Sequence, residues 1–172
     1  LDAMITLHCT ARLAKRFNLR LAADPRQPTN RLGNWYGNLL NVGPRRFAIL
    51  VNEMTLLPVI MPARAAVFPH TFPAALEEVL AGLDIPAEKA AQEAAASEIT
   101  CYAKTLNRSV LGSMNDLAFH AGLLLEDGTR ELSASIKLAN MPSLVMDAVF
   151  PSEAVLIALG LPVREWHERP SA

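Results

Sequence analysis

The stretch from Thr105 to Asp116, TLNRSVLGSMND, places small polar side chains beside an apolar stripe. Four polar residues in and after it are spaced four, three and four apart: Ser109, Ser113, Asp116 and His120. On a helix they share the side opposite the apolar face. A hydrolytic triad needs its histidine between the serine and the aspartate, whereas here the aspartate lies between the other two. We therefore expect a solvated face, a polar ligand pocket or a contact surface.

Asn107, Arg108 and Ser109 lie where this helix should begin. A helix start exposes free N–H groups and the positive end of the helix dipole, which can hold an anion. Arg108 is unfavourable beside that dipole, so it could share an anionic ligand with the backbone. The simpler interpretation, which we favour, is a helix cap followed by a surface arginine.

A second polar and aromatic cluster spans Thr29 to Tyr36, TNRLGNWY. Arginine near tryptophan and tyrosine is typical of binding hot spots and of surfaces that stack on planar ligands. This makes Arg31, Asn34 and Trp35 candidate ligand-binding residues. The alternative, which we favour, is a loop that enters a strand, with Trp35 in the core and Asn34 in a turn.

The sequence lacks the residue patterns that metal and cofactor binding need. No two histidines have metal-ligand spacing, and no HExxH, GxGxxG or phosphate-loop motif occurs. The two cysteines, Cys9 and Cys101, are far apart in the chain, and we expect free thiols in a reducing cytoplasm rather than a disulfide. We predict no metal and no cofactor.

Alternating or continuous apolar runs predict five strands. They are Ile5 to Cys9, Trp35 to Val42, Phe47 to Val51, Thr55 to Met61 and Ile99 to Ala103. The second, third and fourth runs are joined by short turns, so they form an antiparallel meander that the first could join. Pro58 lacks the N–H group that a ladder needs, which places its strand at an edge or at a bulge.

Helical spacing of apolar residues and helix boundary signals predict six helices. They are Ala11 to Phe17, Pro73 to Leu83, Asp84 to Ser97, Arg108 to Leu125, Glu131 to Ala139 and Pro151 to Leu159. The third begins with the signals Asp84 and Pro86, and its richness in alanine and glutamate predicts an exposed surface helix. The fourth is the clearest, because Asn107 suits its N-cap and Gly128 its end.

The bulk composition bounds the class of protein. The chain has 172 residues, 51% of them hydrophobic and 19% charged, and a net charge of −1. This favours one globular domain, residues 4–160, with a polar tail at 161–172, and leaves apolar surface for a protein partner or a homodimer. The balanced charge argues against nucleic-acid binding. No apolar run could span a membrane and no secretory signal is present, so we expect a cytoplasmic protein.

Two regions together resemble an uncharacterised bacterial family catalogued as a domain of unknown function. The first is TNRLGNWYGNLL with the following FAILVNEMTLLPVIMPA, and the second is TLNRSVLGSMNDLAF. The similarity runs from about Met4 to about Leu159, and NRSVLGSMND is its most specific part. The resemblance implies a compact, single-domain bacterial protein of the cytoplasm. It brings no activity, cofactor or catalytic residue.

From these observations we predict an α+β domain, with a small, mainly antiparallel sheet, helices packed on one face and the fourth helix central. The first functional hypothesis is a non-enzymatic ligand-binding or protein-interaction module. Its candidate ligand-binding residues are Arg31, Asn34, Trp35, Asn107, Arg108, Ser109, Ser113 and Asp116.

Two alternatives stay open. One is a small enzyme acting on a polar or phosphorylated substrate, with Asp116 or Glu53 as the base. Its other residues would be Arg31, Asn107, Arg108, Ser109 and Ser113. The weaker alternative is nucleic-acid binding through Arg31, Trp35, Arg45 and Arg46.

Overall fold

The computed structural model describes residues 4–143 and 149–163, so most of the predicted tail, residues 164–172, lies outside the described ranges. The strands are β1 (Ile5–Cys9), β2 (Trp35–Val42), β3 (Arg45–Asn52), β4 (Pro58–Pro62) and β5 (Ile99–Lys104). The helices are α1 (Ala11–Phe17), α2 (Phe72–Gly82), α3 (Ala87–Ala95), α4 (Arg108–Glu126), α5 (Glu131–Ala139) and α6 (Pro151–Ala158).

The five strands form one sheet in the order β4-β3-β2-β1-β5. β2, β3 and β4 pair antiparallel, whereas β1 pairs in parallel with both β2 and β5. The predicted α+β class with a mostly antiparallel sheet is confirmed. The first strand joins the meander in parallel, because α1 carries the chain back to the starting end of the sheet before β2 begins.

Helices cover both faces of this sheet. In β3, Ala48 and Leu50 point into a first core that also contains residues of α1, α2, α3 and α6. Phe47, Ile49 and Val51 point into a second core with α4 and α5. The expectation of helices on one face is therefore wrong. The continuous apolar run of β3 is the pattern of a strand buried on both faces.

α4 lies on the second face and packs mainly against β2 and α5. Its N-cap is Asn107, whose side-chain oxygen accepts hydrogen bonds from the N–H groups of Ser109 and Val110. The predicted central helix and its cap are confirmed, and the helix extends one residue further, to Glu126. It is the longest helix of the described ranges, with 19 residues.

α3 differs most from its prediction. Its N-cap is Pro86 rather than the predicted Asp84, whose backbone has a left-handed φ of 61°, and the helix begins at Ala87. It also buries Ala90, Glu93 and Ala94, so it is not the exposed surface helix that its composition suggests. Small alanine side chains let its backbone approach α2 closely, and packing rather than propensity sets its place.

The free edge of β4 has no N–H group available for another strand. Pro58 and Pro62 lack the group, and Ile60, between them on the same side, donates to Ser135 Oγ at 2.9 Å. The predicted edge position of Pro58 is confirmed. Blocking an edge in this way prevents sheets of different molecules from pairing.

Candidate functional site

Two neighbouring strands send the chain to opposite faces of the sheet. After β1 the chain enters α1, whose Leu13 lies in the first core. After β5 it enters α4, whose Val110 and Met114 lie in the second core. Because β1 and β5 are parallel, both turns leave the same end of the sheet. Such a switch point at the carboxyl ends of parallel strands is where open α/β sheets bind ligands.

Polar side chains from three adjacent strands and two loops gather at this end of the sheet. We call them the switch-point cluster: His8, Thr10, Tyr36, Asn38, Lys104 and Asn107. Tyr36 Oη accepts a hydrogen bond from the backbone N–H of Asn107 at 3.3 Å. Thr10 Oγ1 donates to Asn38 Oδ1 at 2.8 Å. These bonds attach the loops after β1 and β5 to the same strand, β2, and so fix the starts of α1 and α4.

His8 is the titratable group at the centre of the cluster. Its ring stacks on Tyr36, with centroids 4.8 Å apart and planes at 17°, and only 6% of its surface is exposed. Nδ1 lies 2.8 Å from the carbonyl oxygen of Lys104. A carbonyl can only accept, so the proton of this bond is assigned to Nδ1. Nε2 makes no hydrogen bond to any described residue.

The electrostatics of the switch point favour negative charge. The starts of α1 and α4 both lie here, and neither helix has an acidic residue in its first turn. Three exposed cationic side chains accompany them: Arg12, Lys104 and Arg108. Helix dipoles and basic side chains add, so this end of the sheet suits a small anion.

The candidate residues from the sequence are divided between the two ends of the sheet. Asn107, Arg108 and Ser109 lie at the switch point. Asn34 lies toward the other end, where its Oδ1 accepts from the backbone N–H of Thr6 at 2.9 Å. The backbone N–H of Arg31 donates to Glu93 of α3. Because α3 leads into β5, Arg31 lies near the start of that strand, away from the switch point. The structure thus brings three of these residues together and places the other two elsewhere.

The polar stripe of α4 is also divided. Asp116 and His120 are exposed, but Ser113 is buried, with 8% of its surface accessible. Its hydroxyl has no hydrogen-bond partner in the described part of the chain. Ser113 therefore faces the protein rather than sharing a solvent face with Asp116.

Trp35 lies in the first core with none of its surface exposed. Its ring meets Phe72 edge-on, with centroids 5.0 Å apart. Trp35 is therefore a core residue, as in the interpretation that we favoured, and its ring cannot stack on a ligand. Arg45, in the β2–β3 hairpin, donates to the carbonyl of Leu125 at 2.8 Å and so holds the end of α4.

Sequence reasoning missed Glu93, a carboxylate with 4% of its surface exposed. Its two oxygens accept from the backbone N–H groups of Leu32 at 2.9 Å and Arg31 at 3.2 Å. A cavity of about 290 Å³ opens beside it, lined also by Lys89 and Gln92. No spacing in α3 marks a buried glutamate. His8 was equally missed, because the alternation in Ile5–Cys9 predicts a strand buried on one face, whereas all five of its residues are buried.

A larger cavity, of about 650 Å³, lies between the edge of β4, α2 and the start of α5. Apolar side chains such as Ile60 and Val79 line it, together with the charged Glu78 and Arg130. The described residues contain no group of three or more side chains that could hold a metal ion. None of the described helices is long and apolar enough to cross a membrane. Both cysteines are free thiols, Cys9 buried and Cys101 half-buried.

Comparison with known proteins identifies a family but no individual relative. Neither the curated proteins nor the solved structures contain a match to this chain. A family model does match, over residues 6–154, which include the first five helices and every described strand except the first residue of β1. The resemblance seen in the sequence is thereby confirmed, and the chain belongs to the family described as the domain of unknown function DUF6933.

Proposed function

We propose that this domain is a non-enzymatic module that binds a small anionic ligand, such as a phosphate or carboxylate group, at the switch-point cluster. The observation that carries the proposal is the opposite departure of the chain from β1 and β5. It brings the N-terminal ends of two helices to one end of the sheet, where their dipoles favour negative charge.

The side chains around the switch point support the same class of ligand. Lys104 and Arg12 are exposed cations within reach of the loops that leave β1 and β5. Asn107 already caps two N–H groups of α4, so the charge of the side chains, more than the N–H groups of α4, would select the ligand. His8 Nε2 also has no hydrogen-bond partner among the described residues.

An enzyme acting on a phosphorylated substrate is the second candidate, and His8 is the observation that favours it. Because Nδ1 is hydrogen-bonded to Lys104 O, Nε2 is the ring nitrogen left to accept a proton, as a general base requires. Binding without catalysis is the better-supported function, because the bases expected from the sequence are elsewhere. Glu53 donates its N–H to Asn34 O, and Asp116 is exposed two turns along α4.

The test is a titration of ¹⁵N-labelled protein with inorganic phosphate, followed by amide NMR. We expect saturable shifts at Ala11, Arg12 and Arg108, because these amides lie at the two helix starts. Lys104→Ala should weaken binding by about tenfold, the effect of losing one charge-assisted contact.

Lys137→Ala is the matched control, because Lys137 is an exposed lysine on α5, away from the switch point. It should bind phosphate as the wild type does. Shifts that stay linear up to high phosphate concentration, or that centre on Arg130 beside the larger cavity, would contradict the proposal. Turnover of a chromogenic phosphate ester that His8→Gln abolishes would instead support the enzyme.

A further inference from the structure

The outer face of α4 carries apolar side chains that nothing in the described chain covers. Phe119 is 66% exposed and Leu123 is 47% exposed, one turn apart. Leu106, just before the helix, is 77% exposed. Single exposed apolar residues are ordinary, but Phe119 and Leu123 lie together on the side opposite the second core, into which Val110 and Met114 point.

The charges at the two ends of this face are unfavourable for an isolated helix. Arg108 occupies the first turn, beside the positive end of the dipole, and Glu126 occupies the last turn, beside the negative end. The helix has no acidic residue in its first turn and no basic residue in its last. At about 100° per residue, Arg108, Phe119 and Glu126 fall within a narrow sector of the helix.

If the α4 of a second copy packs antiparallel to this one, both charged side chains gain a favourable neighbour. Arg108 then lies beside Glu126 of the second copy and beside the negative end of that copy's dipole, and the reciprocal pair forms at the other end. With the two-fold axis level with Leu117, Phe119 lies opposite Asn115 of the second copy. Leu123 lies opposite Gly112 and the edge of Leu111, a half-buried side chain that also packs against the second core. The sequence of this one face is thus complementary to itself.

We propose that α4 binds the α4 of a second copy of this chain, antiparallel, to form a two-fold homodimer. Gly112 lies on the same face, and an added Cβ there would meet no atom within 4 Å. Glycine inside a helix is destabilising relative to alanine, and here it leaves room for Leu123 of the second copy. The proposal does not rest on ligand binding at the switch point, although Arg108 lies at both places.

The size of α4 sets the strength of this association. Its 19 residues span about 28 Å, and a contact made mainly by one helix pair lies at the small end of specific interfaces. We therefore expect a reversible dimer with a dissociation constant on the order of micromolar. Two exposed ion pairs should also make association weaker at high salt.

The experiment is sedimentation equilibrium of the full chain from about 1 to 500 μM, a range chosen to bracket that constant. Phe119→Asp should raise the dissociation constant more than about tenfold, since it removes an aromatic side chain that the dimer would bury. Ile157→Asp is the control, because Ile157 is similarly exposed, at 63%, but lies on α6. It should dimerise as the wild type does.

Charge exchange tests the antiparallel arrangement itself. Arg108→Glu and Glu126→Arg should each weaken the dimer, because like charges then face each other across the axis. The double variant R108E/E126R should dimerise more tightly than either single variant, because the ion pairs form again, but less tightly than the wild type, because each charge then lies beside the unfavourable end of the partner helix dipole. A monomer at every concentration, a dimer that Phe119→Asp leaves intact, or a double variant no stronger than the single ones would each overturn the proposal.

Discussion

At the scale of single residues, the buried polar groups of this protein mostly hold loops. Asn52 Oδ1 accepts from the N–H groups of Met54 and Thr55, and its amide donates to Leu32 O. Glu93 does the same for the loop before β2, through two backbone N–H groups. A buried charge is costly unless it is hydrogen-bonded, so these contacts decide whether the loop is held in one conformation.

Glu93→Gln should therefore lower the free energy of unfolding by about 2 kcal/mol, since one of the two charge-assisted acceptors becomes an amide N–H₂ group. Urea denaturation followed by circular dichroism measures the change. Glu88→Gln, at an exposed position of the same helix, should change stability by less than about 0.5 kcal/mol. Equal effects of the two substitutions would mean that Glu93 does not hold the loop.

At the scale of elements, the edge of β4 depends on a helix. Ser135 is fully buried, and its hydroxyl both accepts from Ile60 N–H at 2.9 Å and donates to Glu131 O at 2.8 Å. Ser135 is therefore the hydrogen-bond partner of the Ile60 N–H group at the edge of β4, and this bond joins α5 to the sheet.

Ser135→Ala should lower the free energy of unfolding by about 1–3 kcal/mol, because it leaves the buried Ile60 N–H group without a partner. Hydrogen exchange of the Ile60 amide should also become faster. Ser133→Ala, an exposed serine of the same helix, provides the comparison and should leave both measurements nearly unchanged. Unaltered exchange at Ile60 in Ser135→Ala would rule out this role.

At the scale of the whole molecule, the first core contains groups that must stay uncharged. Burial raises the pKa of the Cys9 thiol to about 12. Burial and the neighbouring Cys9 raise the pKa of Tyr102 to about 12 as well. In the unfolded chain both groups ionise at lower pH. Between the unfolded and the folded pKa of each group, the folded state therefore holds more protons than the unfolded state.

The contribution of Cys9 should thus be fully present below the ordinary thiol pKa of 9.0 and be lost as pH rises toward 12, by up to about 1.4 kcal/mol per pH unit. The half-buried Tyr102 should add a smaller loss above its ordinary pKa of 10.0, because solvent screens it. Urea denaturation at a series of pH values measures this decline. Cys9→Ala removes one of the two ionisations, so its stability should fall less steeply above pH 9 than that of the wild type. Parallel curves would contradict the assignment.

Much of the fold follows from local signals in the sequence. Val110, Met114 and Leu125 recur at helical spacing, and Asn107 caps the helix that contains them, so α4 was predicted to within one residue. The edge position of β4 followed from Pro58, because proline has no N–H group to donate. These features depend on neighbours in the chain, which is why the sequence by itself determined them.

Only the tertiary structure decided which distant residues meet. The parallel placement of β1, the second layer of helices, and the contacts of Tyr36 with His8 and Asn107 all come from strand order. The burial of Glu93 also depends on a loop 61 residues away in the chain. No local periodicity encodes such contacts, because they are set by the packing of whole elements around two cores.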